Sequence, residues 1–222
     1  DTDVIRSADK AFAPEGGIRL LEGNLGRSLI KSSAVAADRQ TITAPAVVIS
    51  HQNELKALFD RGELDRDCVV VARFQGPAAN GMPELHQLMP ILGVLQDRGH
   101  AVALVTDGRL SGASGKVPAA IHVTPEASKG GVIGRVQDGD LVAINVATGE
   151  LNVMADEDVL AAREQAKAPA SPSTVGRALF AFNRNVVSDA ESGGCTLFEA
   201  PVLVDESLEA ATQTVAYGHC VS

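Results

Sequence analysis

Basic side chains are scarce in this sequence. Lys and Arg number 19 against 28 Asp and Glu in 222 residues, for a formal net charge of -9 and an isoelectric point near 5.0. A surface that tracks a phosphate backbone or an anionic bilayer needs an excess of cations, so general affinity for nucleic acid or membrane is excluded. Any anionic ligand must be met locally. Long apolar runs are also missing: none approaches the roughly 18–20 residues of a membrane helix, and the polar opening DTDVIRSADK is no signal peptide. Together these absences set a cytoplasmic expectation. Cysteine is rare, and Cys68, Cys195 and Cys220 are odd in number and far apart. That excludes a disulfide framework and a C-x-x-C metal knuckle, and the three read as structural thiols.

What is present is enough apolar material for a core: 45% of residues are hydrophobic and the mean hydropathy is +0.08. Residues 1–40 read as turns and short strands around Gly16, Gly17, Gly23 and Gly26. APAVVIS, DCVVVARF and HAVALVT are apolar enough to be strands buried on both faces, and helical spacing follows the first two, with Leu55, Leu58 and Phe59, then Leu85, Leu88, Met89, Leu92 and Leu95. Strand, helix, strand of this kind implies right-handed parallel crossovers, with ligands expected at the carboxyl ends of the strands. Beyond them, GVIGRVQDGDLVAINVATGELNVM carries Asp138-Gly139 and Thr148-Gly149 as turn dipeptides between period-two stretches, an antiparallel pattern. DEDVLAAREQAKA and TVGRALFAFNRNVV each read as one helix, and the tail VDESLEAATQTVAYG as a weakly amphipathic one.

Two loops carry the chemistry. In LVTDGRLSGASGKVPAAIHVTPEA a buried strand runs into Gly108, Gly112 and Gly115 with Ser111 among them. Leu110 stands where either a Walker A loop or a dinucleotide fingerprint needs its first glycine, and Val117 replaces the Walker hydroxyl, so both phosphate cradles fail. What remains is bare backbone able to approach an anion closely, with Ser111 poised over a cleft, or equally a tight turn in which Ser111 bonds local backbone. In ARFQGPAANGMPELHQLMP, Glu84 reads either as a carboxylate at the start of a helix or as one ligand of a hard cation. His122 reads as a strand-end histidine bonded to backbone, and His86 as a weaker ligand candidate.

RFQGPAANGMPELHQLMP, VALVTDGRLSGASGKVPAAIHVTPEA and DGDLVAINVATGEL together resemble the carboxy-terminal part of the dihydroxyacid and sugar-acid dehydratase family, from about Gly16 to about Glu199. GPAANGMPELH and SGASGKVPAAIHVTPEA are nearest the branch acting on 6-phosphogluconate in the Entner-Doudoroff pathway. The resemblance implies an α/β swivelling domain over residues 1–199, a mixed β-barrel-like sheet flanked by helices, with a tail at 200–222. It also implies an iron-sulfur cluster held by an amino-terminal domain absent from this chain, a divalent cation, Mg²⁺ in the first instance, and a homodimer when intact. Without the cluster domain the chain is expected to be inactive.

Carried over residue by residue, Ser111 matches the base that takes the proton alpha to the carboxylate, and Glu84 the carboxylate lent to the cation. Asp107, Arg109, Gly112 and Lys116 flank them as substrate-binding candidates, and Lys116, Arg109 and Arg73 as candidates for the phosphate end. A dehydratase of unphosphorylated acids, and a noncatalytic assembly domain, are the alternative readings.

Overall fold

A computed structural model describes residues 1–12, 16–111, 115–170 and 174–197. Eight strands close into a barrel: β1 (Ile18–Gly23), β2 (Gly26–Lys31), β3 (Thr41–Ile49), β4 (Cys68–Ala72), β5 (Val102–Thr106), β6 (Ala119–Thr124), β7 (Leu141–Asn145) and β8 (Glu150–Val153). Their order round the barrel is β1-β2-β6-β5-β4-β3-β7-β8, closed by a parallel bridge from Glu22 to Glu150. β3, β4, β5 and β6 run parallel, whereas β1 with β2 and β7 with β8 are antiparallel hairpins. The expected mixed barrel-like α/β sheet is the observed one.

The period of two in a strand explains why there are two cores. Val69, Val71, Ala103 and Val105 point into the barrel with Leu21, Ile30, Ile42, Ala44, Ala46, Ile144 and Leu151, the alanines keeping a narrow interior filled. The alternate residues Cys68, Val70, Ala72, Val102 and Leu104 point outward against Leu55 of α1 (Gln52–Asp60) and Leu88, Leu92 and Leu95 of α3 (Leu88–Asp97). β4 and β5 are therefore buried at every position, as the unbroken apolar runs require.

Three expectations from the sequence change. Thr148-Gly149 does turn the β7–β8 hairpin, but Asp138-Gly139 turns no hairpin: Val132–Arg135 is a 3-10 turn, and Gln137–Asp140 leads from it into β7. DEDVLAAREQAKA is helical only over α4 (Glu157–Ala162), because tertiary bonds pull the chain away afterwards. Arg163 turns to grip Asp140 with both guanidinium ends at 2.5 and 2.9 Å, and the Ala166 amide bonds the Gly134 carbonyl. TVGRALFAFNRNVV is two short helices, α5 (Val175–Leu179) and α6 (Ala181–Val186), interrupted at Phe180. The tail after Glu199 lies outside the described residues.

Candidate active site

The site is assembled where three loops meet at the carboxyl ends of β4, β5 and β6. Asp107, the first residue after β5, is fully buried, and its carboxylate accepts amides from Phe74 at 3.1 Å, Gln75 at 2.8 Å and Ala127 at 3.0 Å. One side chain thus ties together all three loops. Glu126, also buried, accepts the Ala78 and Ala79 amides at 3.0 and 2.9 Å, fixing the short helix α2 (Pro77–Asn80) against the end of β6. The loops touch so closely that a Cβ on Gly108 would lie 2.6 Å from Cβ of Gln75. Burial pushes the Asp107 carboxyl up to about 6, even though the Ala127, Gln75 and Phe74 amides pull it down.

Upon this frame Glu84 and Ser111 are brought side by side. Glu84 lies outside α3, four residues before its start, and pairs instead as an isolated parallel bridge with Arg109. The helix-start explanation is overturned: Glu84 Oε1 accepts the Ser111 amide at 2.9 Å, and Oε2 accepts Arg109 Nη1 at 2.9 Å. Arg109 Nε donates to the Met82 carbonyl at 2.8 Å, which closes a ring of contacts across the two loops. Phe74, Met82 and His122 all have positive φ, at 62°, 52° and 59°. Left-handed backbone is costly for side chains of this size and gathers where a surrounding structure imposes a geometry.

Beside Ser111 opens a cavity of about 560 Å³ whose walls include Ile18, Leu29, Leu110, Ile121 and His122. The His122 amide donates to the Gly108 carbonyl at 2.9 Å, which ties β6 to the loop after β5. Burial, and then the charge of Arg109, lower the imidazole's proton affinity.

The other candidates separate. Asp107, offered as a substrate-binding candidate, is placed as a buried tie between loops, with both of its oxygens turned to backbone amides inside the protein. Lys116 is not gathered to Glu84: its Nζ pairs with Asp97 at the end of α3, at 2.5 Å. Arg73 is turned to the carbonyls of Gly134 and Val136. Gly112 and Cys220 lie outside the described residues, and His86 is exposed. Glu126 went unassigned in the sequence, since its partners sit 47 and 48 residues away.

The family model described as "Dihydroxy-acid/6-phosphogluconate dehydratase C-terminal" matches residues 3–194. The chain belongs to this family. It is 56% identical over 201 residues to phosphogluconate dehydratase of Pseudomonas aeruginosa, covering 90% of this chain and 33% of the relative. Against phosphogluconate dehydratase of Escherichia coli strain K12 the identity is also 56%, with 89% and 33% covered. For that of Zymomonas mobilis it is 52%, with the same shares. The chain therefore spans about a third of the length of the curated relatives it matches.

No helix among the described residues is long and apolar enough to cross a membrane. Among those residues no three His, Cys, Asp or Glu gather to hold a metal. Cys68 is buried, which pushes its thiol up to about 11, the opposite of what a thiolate ligand requires. An iron-sulfur cluster therefore does not fit the described residues of this chain. Glu84 fits as a single carboxylate ligand: each of its oxygens accepts one bond, and a carboxylate oxygen has two lone-pair directions.

Proposed function

We propose that this chain is the carboxy-terminal part of a hydro-lyase that dehydrates 6-phosphogluconate to 2-dehydro-3-deoxy-6-phosphogluconate. The observation that supports the reading is the 2.9 Å bond from the Ser111 amide to Glu84, which joins two separate loops beside the cavity that Ser111 lines. In the proposed reaction the Ser111 side-chain oxygen, in its alkoxide form, takes the C2 proton, the C2–H electron pair becomes the C2–C3 double bond, and the C3 hydroxide leaves and takes up that proton as water, restoring the alkoxide. The resulting enol then tautomerises to the 2-keto acid, with no net redox change.

Serine is a weak base, so its proton affinity must be tuned by its surroundings. Glu84 would lend one oxygen to a divalent cation, Mg²⁺ by the hardness of the carboxylate donor, with further ligands from outside this chain. When bound, such a cation supplies Lewis-acid polarisation of a substrate oxygen. Arg109 holds Glu84 in place from one side and brings positive charge to the loop. Ligands for an iron-sulfur cluster would come from the rest of the longer protein. That remainder would also cover the exposed apolar side chains Val175, Leu179 and Phe182. The same reading carries a cytoplasmic homodimer for the intact enzyme.

The test is turnover by the intact protein. Ser111→Ala is expected to lower kcat by at least about 100-fold with folding and cluster content preserved. Retained activity would exclude Ser111 as the base, and turnover of gluconate in preference to 6-phosphogluconate would displace the substrate assignment.

A further inference from the structure

The three cations that the sequence offers for the substrate's phosphate are turned to three separate sets of partners: Arg109 to Glu84 and Met82, Lys116 to Asp97, and Arg73 to two carbonyls. A different place in the molecule has the right chemistry. Between the loop of α2 and the helices α5 and α6 lies a cavity of about 600 Å³. Asn80, Thr174, Arg177, Asn183 and Arg184 line it, and no Asp or Glu is among its described lining residues. In a chain of net charge -9 such a pocket is an island of the opposite sign.

Its parts are held in position. Arg177 Nη1 donates to Asn80 Oδ1 at 2.8 Å, and Asn80 Nδ2 donates to Gln75 Oε1 at 3.0 Å, which roots the pocket in the loop after β4. Arg184 Nη2 donates to the Arg177 carbonyl at 2.9 Å, so the two arginines are set by one another. The pocket also shares a loop with the candidate active site. Met82 lines it, and the Met82 carbonyl accepts Arg109 Nε, whose guanidinium in turn holds Glu84.

We propose that this cavity binds the terminal phosphate of the substrate, with Arg184 and Arg177 as the guanidinium donors and Asn80, Asn183 and Thr174 as neutral partners. The assignment rests on the hydro-lyase reading above. It places the carboxylate and C2 of the sugar acid at Glu84 and Ser111 and the C6 phosphate at the arginines. Planar guanidinium groups suit a phosphate because they present paired donors, and the described lining residues include no carboxylate to oppose the dianion. A pocket built to pair a phosphate discriminates strongly against the analogue lacking it, because its charged donors are then left without a partner.

The experiment compares kcat/KM for 6-phosphogluconate and gluconate in the intact enzyme. Arg184→Gln should lower the ratio of the two by about 10- to 100-fold, the range expected for losing hydrogen bonds to a charged group. Asn183→Asp places a negative charge in the same cavity without removing the Arg184 bond to the Arg177 carbonyl, and should lower the ratio in the same direction. An unchanged ratio in both variants, or equal loss toward both substrates, overturns the site while leaving the hydro-lyase reading standing. A wild-type enzyme that does not turn over 6-phosphogluconate at all defeats that reading instead. Inorganic phosphate provides an independent arm: it should raise the Tm of the wild type and lose that effect in both variants. If the Tm effect is lost while the substrate ratio holds, the pocket takes a free anion and the substrate assignment falls.

Discussion

The parallel and antiparallel halves of the barrel solve the same closure problem in different ways. In the antiparallel half, β1 to β2 and β7 to β8 are joined by short turns, and the strands supply wall and interior packing. In the parallel half each strand must return to the same end before the next can begin, so the chain accumulates long connections at the carboxyl edge. Those connections contain backbone amides that no sheet partner satisfies. Asp107 and Glu126 satisfy five of them between two carboxylates. Glu84 and Ser111, the residues proposed to carry the chemistry, then stand on a surface whose geometry is already fixed from below.

The sharpest way to break this comparison is to remove the tie itself. Asp107→Ala leaves the amides of Phe74, Gln75 and Ala127 without their acceptor in a buried setting, and an orphaned buried donor costs about 1–3 kcal/mol. Relief from burying the carboxylate offsets part of the sum, so a loss of about 3 kcal/mol is expected from urea denaturation at pH 7. In the antiparallel half, Asp140→Ala breaks the bidentate contact to Arg163 at a largely buried position and should cost about 1–2 kcal/mol. If the two losses were equal, the carboxyl edge would hold no special dependence on its carboxylate.

Asp107 also gives a pH signature. Its folded carboxyl is raised to about 6 from the reference 3.8, so between those values the folded protein binds the proton more tightly than the unfolded chain. Its contribution to stability is therefore full below about 4, falls as pH rises through about 6, and is constant above. A shift of about two units corresponds to roughly 3 kcal/mol across that window. His122 works in the opposite sense, because its lowered folded value means stability is lost as pH falls from 6.5. The wild type minus Asp107→Asn difference isolates the first effect: the difference curve should slope between pH 4 and 6. A flat curve would mean that Asp107 is held ionised throughout.

Much of this architecture was legible in the sequence and the part that was not has a common cause. CVVVA and VALVT announce strands buried on both faces, and Thr148-Gly149 announces the β7–β8 hairpin, because each signal is local. Helical patterning over residues 156–168 and 174–187 overstated the helices, since Arg163 and Ala166 are drawn off by partners from residues 134 to 140. The site follows the same rule. Ser111 and Glu84 were visible through motifs, but their convergence depends on a bridge between residues 84 and 109. Nothing in the sequence neighbours of Asp107 reveals that amides from positions 74, 75 and 127 converge on it. Arg177 and Arg184 escaped notice because their segment read only as a helix, and the Asn80 partner of Arg177 lies 97 residues away.

Glycine substitutions probe the same contrast at smaller scale. Gly139, in the turn before β7, has φ of +87° with open space around it, so Gly139→Ala meets only a backbone penalty of about 1 kcal/mol. At Gly108 the new methyl would fall 2.6 Å from Cβ of Gln75 and 3.1 Å from Cδ1 of Leu85, both set in packed surroundings. Forcing the loops after β4 and β5 apart should cost about 1–3 kcal/mol. Near-equal Tm values for the two variants would show that the carboxyl-edge loops yield as readily as an exposed turn.

The smallest expected stability effect falls on the proposed cation ligand. Glu84 is partly exposed, and its pairing with Arg109 bridges two loops already fixed by Asp107, so Glu84→Gln should change the unfolding free energy by less than about 1 kcal/mol. Gln keeps one carbonyl oxygen for the Ser111 amide but loses the charge that a hard cation would require. In the intact enzyme the variant should therefore need more divalent cation for half-maximal activity while melting as the wild type does. A large drop in Tm with unchanged cation dependence would reverse the roles, making Glu84 part of the frame and returning the search for the cation's carboxylate to other loops.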